Sequence, residues 1–444
     1  MPVNPNAPKV SWSEIAKGYF QRPIGENEQL VKIVGDTGAP IRREHWAINT
    51  EVSFRHTAST SQEQFIAQLK DAWQTLRFHH PAIAAIAGAQ YIGYTKGVSP
   101  ADVAAGHQPT PYAILHYFPE KSKILLHSSH WRLDGIGVMQ LLDHLLQLAG
   151  SEKPLPDPSD LAWGEEPSRL TIAAEDATGS PREATEGIKA VASKYVKSSV
   201  EATGGVGVEC LAAKETVPAG TRTVGFAFSK TNTKAIIAAC KTRQISVTSA
   251  VHASIAATNW AFAPSDGKSR HYTSTIRIGL RPYLPEPYCT SAYAAANYST
   301  GYSVALQAGK GFETNSQAVN KMYRAGLSDD FLHVLRQYFI NIQKLVKQTP
   351  PWEDSPPLSS DVDISSIGVL DGKLLAHRHG NIEIESVMLQ TEVLTRQMGC
   401  FVWTFRGKLN LNLAYNEAFY GRDVPENFLE KLKGTLLGEL GVKE

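Results

Sequence analysis

The chain has 444 residues, 42% of them apolar and 20% charged, with a formal net charge of +1. That length exceeds one hydrophobic core and predicts two domains, each with enough apolar residues to bury a core. Near-balanced, interspersed charge excludes a nucleic-acid footprint, and no apolar run is long enough to span a membrane.

The four cysteines, Cys210, Cys240, Cys289 and Cys400, lie far apart and form no CxxC pair. A reduced, metal-free protein is the expectation. The opening residues, Met1-Pro-Val-Asn-Pro-Asn-Ala-Pro8, show neither the basic nor the apolar part of a secretory signal. A cytoplasmic monomer is therefore expected, and the sequon Asn297-Tyr298-Ser299 is a chance match.

Residues 1–50 are polar and broken by proline and glycine, and residues 46–54 read as a first strand. Thr60-Ser61-Gln62-Glu63 has capping-box form and opens a helix with Phe65, Leu69, Trp73 and Leu76 on one face. Pro81 forbids its continuation past His79-His80. Residues 112–118 and 123–130, joined by Pro119-Glu120-Lys121-Ser122, read as a hairpin.

That hairpin ends in His127-Ser128-Ser129-His130-Trp131-Arg132-Leu133-Asp134-Gly135-Ile136-Gly137. Val138, Leu141, Leu142, Leu145 and Leu146 follow at the spacing of an amphipathic helix. A histidine, an aspartate four residues on and two glycines thus occupy a strand-to-helix turn. An imidazole titrating near neutrality, steadied by a carboxylate, is suited to general-base work there.

Residues 150–221 carry Pro154, Pro156, Pro158 and Pro167, then a helical stretch and Gly204-Gly205-Val206-Gly207. This is a crossover; the glycines lack the GxGxxG spacing and βαβ setting of a dinucleotide site. The second half opens with a strand at 224–228 and a helix through Ile236, Ile237 and Cys240. A small-residue helix at 245–257 starts at Ser246 or Thr248, and a helix at 327–345 runs through Phe331, Leu332, Leu335 and Phe339 to Pro350. A strand at 364–369 follows. Phe401, Trp403 and Phe405, then Leu409, Leu411, Leu413 and Tyr415, alternate around Arg406-Gly407 as a hairpin, and a terminal helix closes the chain.

His130-x-x-x-Asp134-Gly135 resembles the HxxxDG signature of the chloramphenicol-acetyltransferase-like acyltransferases. That superfamily includes plant BAHD enzymes, condensation domains and fungal trichothecene O-acetyltransferase-like enzymes. Further blocks resemble the fungal and condensation-type branch in the same order: Leu76-Arg77-x-x-His80-Pro81, the helix at 245–257, Leu280-Arg281-Pro282-Tyr283-Leu284 with Asn297-Tyr298, and the closing strands through Tyr415-Asn416-Glu417. Two departures stand out. Ser129 occupies a position where some relatives carry a second histidine, and the DFGWG block of the plant enzymes is absent.

The resemblance implies an α/β fold of two α+β two-layer sandwiches, with subdomains at 1–165 and 222–444 and a crossover at 166–221. The active site would be a tunnel between them. It implies transfer of an acyl group, acetyl first of all, from acyl-CoA to a hydroxyl of a natural product in fungal secondary metabolism. The implied catalytic residues are His130, as base, and Asp134, which faces away and pairs with Arg281, with Arg277 in reserve. Gly135 and Arg281 would support the site.

No GxSxG nucleophile is present, so no covalent enzyme intermediate is expected, and no cofactor beyond acyl-CoA as co-substrate. His79-His80 lacks a third metal ligand at suitable spacing, and His127 packs or bonds locally. Ser365 and Ser366 read equally as oxyanion donors or plain strand residues; Trp403 and Tyr298 read as core more readily than as tunnel wall. Two rival readings keep the scaffold. One takes the acyl group from a carrier-protein partner, as condensation domains do; the other is a cyclase that transfers no acyl group.

Overall fold

In the computed structural model, which describes residues 12–83, 92–94, 96–346, 350, 352 and 359–444, a six-stranded sheet organises the first half. Its order is Arg378–His379, Ile382–Thr391, Ile48–His56, Lys123–Ser128, Ile114–Phe118 and Ile92–Tyr94, antiparallel except for the last pair. The first long strand starts at Ile48, because Trp46 sits at a left-handed φ of 68°. The expected hairpin is present, turned through Ser122 at φ 47°, and His130 lies two residues beyond its end. Helices Gln62–His79 and Gly135–Ala149 bury Phe65, Leu69, Trp73, Val138, Leu142 and Leu145 against the sheet residues Val52, Phe54, Leu115 and Ile124.

The helix cap differs from the capping-box reading by one residue. Ser61, rather than Thr60, accepts from the Gln64 N–H at 3.1 Å. The Thr60 hydroxyl instead accepts from Asn381 Nδ2 at 2.9 Å.

Strand Ile382–Thr391 ties the second half into this sheet, pairing antiparallel with Ile48–His56. A register shift between Ile384 and Ser386 moves its buried side chains from Ile382 and Ile384 to Val387 and Leu389. That bulge breaks the two-residue period, which hid the strand in the sequence.

A second sheet has the order Val362–Val369, Met398–Phe405, Lys408–Asn416 and Thr221–Ala227, with the first pair parallel and the others antiparallel. Arg406 and Gly407, at φ 52° and 70°, make the tight turn of the expected hairpin. Helix Val247–Phe262 starts at the Ser246 cap and packs on Lys230–Thr242, Gly311–Ala325 and Asp423–Leu440 through Ala250, Ala253, Ser254 and Ala256. A ribbon of Tyr272–Gly279 and Ser299–Leu306 lies beside strand Val362–Val369.

The helix expected at 327–345 is two, Asp329–His333 and Leu335–Gln343. The Ser180 hydroxyl inserts at the break, donating to His333 O at 3.0 Å and accepting from Arg336 N at 3.1 Å. A side chain that takes over ladder hydrogen bonds interrupts a helix. No helix among the described residues is long and apolar enough to cross a membrane.

The cores hold many titratable groups. Burial pushes His45, His116 and His252 down to about 4, and His80 to about 3. It pushes Glu175 and Asp361 up to about 7 and Glu392 to about 8. As pH falls below the ordinary histidine value of 6.5, the unfolded chain gains protons that these buried rings refuse, so stability is lost towards pH 4. The carboxyls act in the other direction: the stability they add as neutral groups is lost as pH rises through 7 to 8. The thermal unfolding midpoint should therefore peak at about pH 6.5 and fall on both sides. A midpoint that climbs steadily down to about pH 4.5 would contradict this assignment of neutral buried histidines.

Candidate active site

The motif turn is built by burial at one end and hydrogen bonding at the other. Strand Lys123–Ser128 ends, Arg132 N donates to Ser129 O at 3.2 Å, and Leu133 drops into the core at 1% exposure. Asp134 N then donates to Ala296 O at 3.2 Å, which pins the turn to the second half of the chain.

Asp134 caps helix Gly135–Ala149, its Oδ1 accepting from Gly137 N at 2.7 Å. Arg281 Nη1 donates to both carboxylate oxygens, at 2.8 and 2.7 Å, and Tyr298 N donates to Oδ2 at 2.7 Å. Arg281 Nη2 holds Ala294 O at 3.1 Å, and its guanidinium carbon lies 5.4 Å from the Tyr298 ring centroid. Asp134 and Arg281 are 2% and 6% exposed. A buried carboxylate so fully engaged orients the turn rather than meeting a substrate.

The two glycines differ. A Cβ on Gly137 would stand 2.2 Å from Ala294 O, whereas one on Gly135 would meet only Ile367 Cδ1, at 2.9 Å. Close backbone approach therefore demands glycine at 137; at 135 a flexible side-chain end can give way.

His130 is half-buried at the head of the turn. Its Nδ1 is buried with no side-chain partner, and its own backbone carbonyl favours the protonated ring. Burial outweighs that carbonyl and the Asp134 charge, and Arg277 adds to it, so the pKa lies below 6.5. At neutral pH the ring is an uncharged base, with Nε2 free of hydrogen bonds to the described residues.

Arg277 pairs with Asp363 at 2.8 Å, not with Asp134. His127 Nδ1 is 2.9 Å from Asn49 Oδ1, and its ring stacks on His107 at 3.5 Å. Ser366 Oγ is 2.9 Å from Thr248 Oγ1. Ser365 is half-buried in the same strand. Trp403 is buried in the core around the first sheet. Tyr298 is buried too, its hydroxyl donating to Ile172 O at 3.1 Å. His80 Nε2 meets His144 Nδ1 at 3.0 Å, with His79 beside them, and the described residues hold no cluster arranged for a metal.

One contact had no sequence signal. Ser129 Oγ donates to Glu44 Oε2 at 2.7 Å, bracing the residue before His130 from a loop far upstream.

No protein-family profile matches the chain. It is 42% identical over an alignment of 461 residues to acetyltransferase pigO of Monascus ruber, spanning 98% of this chain and 99% of that one. It is 28% identical to O-acetyltransferase pigM of the same fungus, over 98% of this chain and 88% of that one. Among solved structures, the TRI3 trichothecene 15-O-acetyltransferase of Fusarium sporotrichioides superposes with a TM-score of 0.78 at 18% identity, over 96% of this chain and 98% of that one. That is a likeness of fold.

Removing one partner of the buried pair leaves the other charge unsatisfied. Arg281→Met should lower the unfolding free energy by about 3–5 kcal/mol, read by denaturant titration. Gly137→Ala should destabilise the chain strongly while Gly135→Ala leaves the unfolding midpoint nearly unchanged. Equal effects of the two alanines would show that Ala294 does not constrain the turn.

Proposed function

Since the chain belongs to the fungal acetyltransferase family that includes pigO, and is an acyltransferase of secondary metabolism, we propose that its donor is acyl-CoA, with acetyl the group moved, and its acceptor a hydroxyl of a small natural product. The observation that carries this reading is the His130 imidazole, uncharged at neutral pH and presented by a turn fixed through Asp134.

His130 Nε2 removes the hydroxyl proton as the acceptor oxygen attacks the thioester carbonyl carbon. The carbonyl π pair moves to its oxygen, giving a tetrahedral oxyanion. Collapse re-forms the carbonyl, breaks the carbon–sulfur bond and expels the CoA thiolate, which takes the proton back from His130. The products are the ester and free CoA, so one imidazole serves as base and then as acid. Asp134 is a positioning residue here: it fixes the turn, and through space it partly offsets the burial that lowers the His130 pKa. A donor presented on a carrier protein would use the same base and the same steps.

Thiol release from acetyl-CoA in the presence of hydroxylated fungal metabolites tests this reading. His130→Ala should lower kcat/KM on the order of 10²–10⁴-fold. For the wild type, kcat/KM should rise with pH through an acid limb below 6.5 and be level at neutrality. A loss of about threefold or less in His130→Ala would remove His130 from the role of base. Turnover with a carrier-protein thioester but not with free CoA would reassign the donor.

A further inference from the structure

The steps above leave the developing oxyanion without an assigned donor. Arg277 is placed for it. It stands in strand Tyr272–Gly279, four residues before Arg281. Its Nη1 donates to Ile364 O at 2.5 Å, and its Nη2 lies 2.8 Å from Asp363 Oδ2. Asp363 is fixed in turn, its Oδ1 accepting from Ser274 Oγ at 2.5 Å, Thr275 N at 3.3 Å and Ile364 N at 2.8 Å. The guanidinium is thus clamped, yet its side chain is 42% exposed against 13% for Asp363. Arginine carries more N–H groups than these two bonds use, so the open edge of the fork still has donors to offer.

The strand that the fork grips reaches the motif turn. Ile364, which the fork grips, is three strand positions from Ile367, about 10 Å along the chain. The Ile367 Cδ1 abuts Gly135, the residue after Asp134. Arg277 also acts through space against protonation of His130.

The charges nearby decide what such a fork can receive. Asp363 already balances the guanidinium. A permanently anionic substrate group would find no net positive charge there. The phosphates of CoA are held away from the thioester by the length of the pantetheine arm. An oxygen that gains charge only during reaction is different: fixed N–H dipoles stabilise it without any reorganisation.

We propose that Arg277 is a catalytic residue that donates an N–H to the thioester carbonyl oxygen as it becomes the tetrahedral oxyanion, with Asp363 the positioning residue that aims it. This rests on the acyl-CoA reading of the site. Of the serines in strand Val362–Val369, Ser366 has its hydroxyl engaged with Thr248 Oγ1 at 2.9 Å.

The test uses the ketone analogue of acetyl-CoA in which a methylene replaces the thioester sulfur, bound to the full-length protein and followed by the infrared stretch of its carbonyl. Bound to the wild type and to His130→Ala, the carbonyl should shift to lower frequency than in water. In Arg277→Gln the analogue should still bind, with that shift lost, and in Arg277→Lys the shift should be partly restored. With acetyl-CoA and a turned-over acceptor, Arg277→Gln should lower kcat on the order of 10²–10³-fold with little change in KM. Thermal unfolding of each variant guards against loss of the fold, and Arg277→Lys retains the charge facing Asp363. An unshifted carbonyl in the wild type, or an equal shift in wild type and Arg277→Gln, overturns the role of Arg277 while leaving His130 untouched. Failure of the analogue to bind the wild type at all would instead strike the acyl-CoA reading, and this inference with it.

Discussion

A buried ion pair, Asp134 with Arg281, is the constraint on which the site depends. The two residues are 147 positions apart, one at the head of a helix in the first half and one in the second. Neither can be left alone in the interior, so the halves must meet in one register for both to be satisfied. The backbone follows the same demand. Tyr298 N donates to the carboxylate, Ala296 O takes the Asp134 amide, and Ala294 O both accepts from Arg281 and closes the space over Gly137. Such a pair adds little net stability over an apolar core, but it specifies geometry sharply. What it specifies is the turn that presents His130.

The same seam is reinforced elsewhere by exchange between the halves. Strand Ile382–Thr391 completes the first sheet, and side chains from Met398–Phe405 fill the core beneath it. The motif turn that carries His130 therefore sits where both halves converge, with Gly135 against Ile367 of strand Val362–Val369 and Asp134 bonded to Arg281, Ala296 and Tyr298. Acyl transfer suits such a meeting place, because two reacting groups can be held there in one geometry.

Much of this is legible in the sequence. The His130–Asp134 spacing, the apolar stripe after Gly135 and the alternating strands around Arg406-Gly407 each follow a rule that a short window of residues obeys. The family resemblance implies Arg281 as the partner of Asp134, and the structure pairs them. What stayed hidden depended on contacts distant in sequence. The bulge at Ile384–Ser386 disguised a strand, the Ser180 hydroxyl cut one helix into two, and Asn381 drew Thr60 away from capping, leaving Ser61 to do it. Glu44 supports Ser129 from a polar loop that no local pattern marks. Nor does the motif itself reveal that Gly137, rather than Gly135, is the glycine pressed against backbone.

The claim that Asp134 acts by holding the turn, and not by sharing in proton transfer, is most directly tested by a double-mutant cycle in kcat/KM over Asp134→Asn, Arg281→Met and the two combined. If the pair is one positioning device, either single change releases the turn, and the double variant should be no slower than the worse single. Losses that multiply in the double variant would contradict this, since they would give Asp134 a part in the chemistry independent of Arg281.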